Sequence, residues 1–187
     1  MKNCFTIIFS IAFLQLPGVQ AQTNIVASPL AEAIMLGNYN PSDYAASPAL
    51  NHPDTISRGS HARVSPDSLH HYMDVLGSFY NRNSGSDTLS TTKGIGAARR
   101  WIYSRFEAFS VQNGNRLIPS YLQFDRNICN ITQHSNVFAL LPGTDTSAKG
   151  IIIIEAHMDS RCEGLCDTAC LAAGIEDNAT GTALVME

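Results

Sequence analysis

His157, Asp159 and Asp177 are the side chains of this sequence whose types and spacing point to chemistry. A histidine and a carboxylate two residues apart do not readily reach one metal ion from an extended backbone. The carboxylate can instead accept the ring N–H that the metal does not use and so fix the ligating tautomer. His157 therefore reads as a metal ligand and Asp159 as the residue that orients it. Asp177 lies in Glu176-Asp177-Asn178-Ala179-Thr180-Gly181, directly ahead of an apolar helix start over 182–186. A carboxylate brought back to the histidine by the intervening loop can bridge two cations that activate one water. Standing alone, His-x-Asp also fits a buried histidine hydrogen-bonded only for structure.

Positioning these groups falls to the elements around them. The β-branched run Ile151 to Ile154, carried to Glu155, follows Gly150 and reads as a strand buried on both faces. Its carboxyl end delivers His157 to the place where open α/β sheets collect ligands. Upstream, Ser65-Pro66-Asp67-Ser68 gives an N-cap serine, a proline at the first helical position and an acid in the first turn. Leu69, Tyr72, Met73, Leu76 and Phe79 then form a helical face, with His70 and His71 as solvated positions beside it. A second helix is expected from Ile95 to Phe109, ended by Gly114, with Arg99, Arg100 and Arg105 on its solvated side. Strands are expected at Leu117 to Phe124 and Asn136 to Leu141. The turn signal Pro142-Gly143-Thr144-Asp145 suggests a hairpin with the Ile151 strand. His134 is read as structural.

Three blocks carry a resemblance. Asn136-Val137-Phe138-Ala139-Leu140-Leu141-Pro142-Gly143, Glu155-Ala156-His157-Met158-Asp159-Ser160 and Glu176-Asp177-Asn178-Ala179-Thr180-Gly181 resemble, in order, successive signatures of the M28 family of zinc aminopeptidases. The resemblance covers Ser65 to Glu187. It implies an α/β fold, a three-layer zinc-exopeptidase-like sandwich with a mixed central sheet, cut short after the bridging-Asp block. It also implies two Zn2+ ions, His157 on one of them, Asp177 bridging both and Asp159 supporting His157. Peptides that lose their amino-terminal residues are the implied substrates. The family's Glu-Glu pair, which supplies the general base and a ligand, has no counterpart here, nor do its further acidic ligand and final histidine. Glu187, ten positions after Asp177, reads as a helix-face residue.

Two functions follow. One is the amino-terminal part of a secreted zinc aminopeptidase whose site is completed by residues after Glu187. The other is an M28-like domain without chemistry that serves as a binding or interaction module. A downstream Glu-Glu pair, acidic ligand and histidine would decide for the enzyme, and a chain stopping inside the apolar stretch Ala183-Leu184-Val185-Met186 favours the first.

Composition narrows the field further. The chain has 187 residues, 44% hydrophobic and 15% charged, with a net charge of -4 and a pI near 5.8. That is enough for one core and gives no basic footprint for nucleic acid, and no phosphate-binding G-x-x-x-x-G-K-[ST] loop occurs. Residues 1–21 read as a secretory signal peptide: Lys2, an apolar stretch from Phe5 to Leu16, and Val19-Gln20-Ala21 before the cut. A secreted or periplasmic location follows, with no membrane span after cleavage. Residues 22–64, rich in Ser, Pro, Asn and Ala, read as a linker, a pro-segment or an arm laid over the domain, helix-competent only over Pro29 to Leu36. The peptidase-like domain then occupies 65–187. Cys129, Cys162, Cys166 and Cys170 remain after the signal and favour two disulfides of undetermined pairing in an exported protein. A cluster of metal thiolates is the alternative.

Overall fold

A computed structural model describes residues 24–46, 50, 52–145, 147 and 150–187. The expected signal peptide lies outside the described residues. In chain order the elements are β1 (Asn24–Val26), α1 (Pro29–Met35), a 3-10 turn (Pro41–Tyr44), α2 (Pro53–His61), α3 (Pro66–Ser78), α4 (Gly94–Gln112), β2 (Ile118–Ile128), β3 (Ile131–Leu140), a turn over Ile175–Ala179 and α5 (Thr180–Met186). The protein is mixed α/β. The three strands form an antiparallel sheet in the order β1-β2-β3.

The period of two in β2 and β3 divides this sheet into two apolar faces. Ile118 pairs with Leu140 and Ser120 with Phe138, and the face they share packs on Ala31 and Ile34 of α1. Tyr121, opposite Val137, belongs to the other face, where its ring stacks on Tyr103 of α4 at 4.6 Å. The main core gathers Tyr72, Leu76 and Phe79 from α3 and its cap, Ala98 and Ile102 from α4, and Ala183 and Met186 from α5, with Val137 and Met158 against it. Burying a side chain such as Leu76, fully enclosed here, contributes about 1.5–3 kcal/mol relative to exposure.

Both long helices start as the sequence predicts. Ser65 accepts the Ser68 N–H at 3.1 Å and Pro66 fills the first turn of α3. The start of α4 is capped from outside instead: Ser86 Oγ accepts Ile95 N–H at 2.9 Å, and Asp87 O accepts Gly96 N–H at 3.0 Å. Gly94, at φ +79°, and Gly96 allow this approach, since a Cβ on either would run into the backbone of 87–88.

Several expectations are corrected. The Ile151–Ile154 run is not a strand. A strand buried on both faces needs ladder partners and cover on each side, and the described sheet ends at β3, leaving the four isoleucines 81%, 91%, 75% and 75% exposed. The hairpin forms between β2 and β3 rather than between β3 and the isoleucine run. Cys129 and Asn130 turn the chain with φ of 51° and 67°, the two positive values that a tight two-residue hairpin turn requires. Within 22–64, β1 pairs with β2 and α1 packs on the sheet, and α2 adds a helix that composition did not signal. Arg99 and Arg105 are half-buried rather than solvated. Arg105 lies over the rings of Tyr72 and Phe109 at 5.5 and 5.0 Å from their centroids. His134 is buried against Phe124 and bonds to Ile131 O, a structural role.

Candidate metal centre

His157 sits between two carboxylates. Its Nδ1 is 3.1 Å from Asp159 Oδ1 and its Nε2 is 3.0 Å from Asp177 Oδ1. Two elements hold the group. On the histidine side, Thr182 Oγ1 of α5 donates to His157 O at 3.0 Å, while the next residue, Met158, packs into the core. On the aspartate side, the turn over 175–179 closes with Ala179 N donating to Gly174 O at 3.0 Å, and Asn178 Oδ1 accepts Gly181 N–H at 3.0 Å. The Asp177–Asn178 peptide is cis. Asp177 reaches across 20 positions of sequence to the histidine, with its own side chain 88% exposed. The three sequence-predicted site residues thus come together. Glu187 stands apart: its Oε1 accepts the Ser65 N–H at 2.6 Å.

Residues 136–187 match the sequence profile of peptidase family M28. This part of the chain is similar to that family. Over 139 residues, 72% of the chain, the sequence is 32% identical to a "Probable zinc metalloprotease" of Pyricularia oryzae, of which the match covers 28%. A relative of the same description in Leptosphaeria maculans is 31% identical over 66% of the chain and 30% of its own length. Another, in Pyrenophora tritici-repentis, is 30% identical over 72% of the chain and 29% of its own length. The chain therefore spans under a third of the length of these relatives. No solved structure matches it.

The donor set of the M28 region suits the zinc that the sequence resemblance implies. Ligand atoms about 2.0–2.2 Å from a tetrahedral zinc stand roughly 3.3 Å apart, and the Nε2–Oδ1 pair is already close to that separation. Asp159, on the other ring nitrogen, leaves Nε2 free of a proton when it accepts the Nδ1–H. His157, Met158 and Asp159 line a cleft together with Ser84, Ile95 and Arg99. Arg99 belongs to this cleft and not to a solvated helix face. Burial lowers the pKa of its guanidinium, the Tyr121 and Asp159 charges oppose that shift, and its Nε is buried without a hydrogen-bond partner among the described residues.

Arg82 is the residue that sequence reading passed over. It lies in Tyr80-Asn81-Arg82-Asn83, a polar stretch between helices with no periodicity to mark it, and its side chain is fully buried. Burial pushes its guanidinium down to about 10, against the attraction of Asp159, so it stays charged at neutral pH. Desolvating a cation without a bonded partner is costly, and here backbone carbonyls supply the partners: Met158 O at 2.7 Å, Leu76 O and Ala173 O at 2.6 Å, and Gly174 O at 3.1 Å.

Between His157 and Asp177 the chain makes a cysteine-rich excursion. Cys129 pairs with Cys166 and Cys162 with Cys170, so two disulfides form as expected. Cys162, Asp167 and Cys170 lie close enough to hold an ion, but the disulfide occupies both thiols. Asn81 binds the excursion from beneath, its Nδ2 donating to Asp167 O at 3.2 Å and Cys170 O at 3.0 Å.

Proposed function

We propose that this chain is the amino-terminal part of an exported, zinc-dependent aminopeptidase that removes amino-terminal residues from peptides. The observation that carries the reading is the convergence of His157 Nε2 and Asp177 Oδ1 at 3.0 Å with Asp159 on the opposite ring nitrogen. The M28 match of residues 136–187 and the zinc metalloprotease relatives support it. In this reading two zinc ions occupy a complete site within a three-layer sandwich with a mixed central sheet, and residues after Glu187 contribute the remaining ligands. The alternative of a chemistry-free binding module has no observation in its favour.

Bound zinc supplies Lewis acidity and a water whose pKa is brought toward neutrality. His157 contributes a neutral nitrogen because Asp159 takes up its other N–H. Asp177 contributes a carboxylate with room to bridge, its second oxygen not committed to His157. The cleft between α4 and β3 admits the substrate beside these groups, and Arg99 offers a positive wall along it. The general base comes from beyond Glu187 in this reading; such a group is worth about 10² to 10⁴-fold in rate.

In the full-length protein, His157→Ala removes a ligating nitrogen and abolishes tight zinc binding together with cleavage of an aminoacyl anilide. Asp159→Asn keeps the metal but weakens zinc affinity or turnover by about 10 to 100-fold. Acetylating the substrate's amino group prevents cleavage if the enzyme is an aminopeptidase. Full zinc occupancy and normal turnover in the His157 variant would remove the assignment.

A further inference from the structure

The residues that position the centre are not adjacent to it in sequence. Residues 80–83 run as a strap between the two segments that carry His157 and Asp177. On one side, Arg82 N–H donates to Ser160 Oγ at 3.0 Å and Ser160 N–H donates to Arg82 O at 3.3 Å. On the other side, Asn81 forms a parallel bridge with Ala172, and Ala172 N–H donates to Tyr80 O at 2.9 Å. Ser160 Oγ closes the gap by donating to Ala172 O at 2.5 Å. The Arg82 guanidinium then takes Met158 O from the histidine segment and Ala173 O and Gly174 O from the aspartate segment in one planar fork. Gly174 sits at the crossing, where a Cβ would come within 3.0 Å of Arg82 Nη2 and 2.8 Å of Asp177 O, and would strike Ser160 Cβ.

We infer that Arg82, with Ser160, is the positioning residue of the metal centre: one buried cation sets the separation of His157 and Asp177 by gripping the backbone just after His157 and at the start of the turn that carries Asp177. The inference rests on the proposed metal-binding role of those two residues. An arginine suits the task for a geometric reason. Its five N–H donors lie in a fixed fork that spans carbonyls on separate segments, whereas a lysine offers a single rotating ammonium on a flexible stem. Charge alone would not hold the distance.

The test compares zinc affinity, by chelator competition, among full-length wild type, Arg82→Lys, Ser160→Ala and Ile102→Ala, each at a temperature where circular dichroism shows the metal-free protein folded. Ile102 lies in the core on α4 and its side chain forms none of the hydrogen bonds of the strap, so its replacement costs stability without removing one of them. The expected result is a fall in affinity of about 10 to 100-fold in Arg82→Lys, comparable to losing an orienting partner of a ligand. A smaller fall is expected in Ser160→Ala, and none in Ile102→Ala. The visible absorption of the Co2+-substituted protein should shift in Arg82→Lys and not in Ile102→Ala, because only the former alters the ligand arrangement. Wild-type affinity and spectrum in folded Arg82→Lys would overturn the inference while leaving the metal site standing. Should that variant not fold, unchanged affinity in Ser160→Ala overturns it. Absence of His157-dependent zinc binding in the wild type would instead remove the functional reading beneath it.

Discussion

Asp87 caps a loop as a serine caps a helix, its Oδ1 accepting the N–H groups of Leu89 and Ser90 at 2.8 Å each. Those bonds, the Ser90 bond foremost, lower its pKa in the folded protein, with Lys93 and Arg100 adding to the effect. A depressed carboxylate pKa contributes stability that is present above the unfolded value and is lost as pH falls through the folded one. Asp87→Ala should therefore melt below wild type at neutral pH, and the gap should close as the medium is acidified below the usual carboxylate range; a gap independent of pH would remove the ionic account. Residues of this kind were only partly legible. His157, Asp159 and Asp177, which the fold brings together, could be singled out by residue type and spacing, whereas Arg82 acts through backbone carbonyls that leave no trace in side-chain pattern. Arg99 was misplaced because helical periodicity sets it beside the apolar stripe, and only the packing of α4 on the sheet turns that flank into a cleft wall.

Helices α3 and α4 were legible because each carries local instructions, a capping serine and a stripe at helical spacing in α3, and a stripe ended by Gly114 in α4. The sheet was less so. Register depends on turns and partners far away in sequence, and the strongest apolar run misled because hydrophobicity shows what wants burial and not whether a neighbour is there to provide it. The cysteines belong to this level too. Cys129 sits in the turn of the β2–β3 hairpin, so its bond to Cys166 staples the excursion between His157 and Asp177 to the sheet across 37 positions; the Cys162–Cys170 bond spans 8. By loop-closure entropy the longer link stabilises by about 4 kcal/mol and the shorter by about 2.5 kcal/mol as upper values, not additive because the loops overlap. Replacing Cys129 and Cys166 together by alanine should thus lower stability more than replacing Cys162 and Cys170. Denaturant melts of the two double variants decide it, and thiol labelling of unreduced, denatured protein should find none of the four free.

Across the whole molecule, apolar surface and folding order set the behaviour. The exposed Ile151–Ile154 run should make the 187-residue chain bind an apolar dye such as ANS, and Ile152→Thr with Ile154→Thr should reduce that signal; an unchanged signal would place the dye elsewhere. Mixed α/β character was readable at this scale, but the arrangement of layers was not, because it depends on contacts between segments remote in sequence. The strap adds a temporal dimension. Arg82 closes on Met158, Ala173 and Gly174, which lie 76, 91 and 92 positions later. At about 5–20 residues per second of synthesis, its guanidinium is made roughly 4 to 15 s before the first of these carbonyls exists. The cation must wait through that interval for most of its partners, and the cluster of His157, Asp159 and Asp177 can take shape only after the last of those carbonyls has been added to the chain.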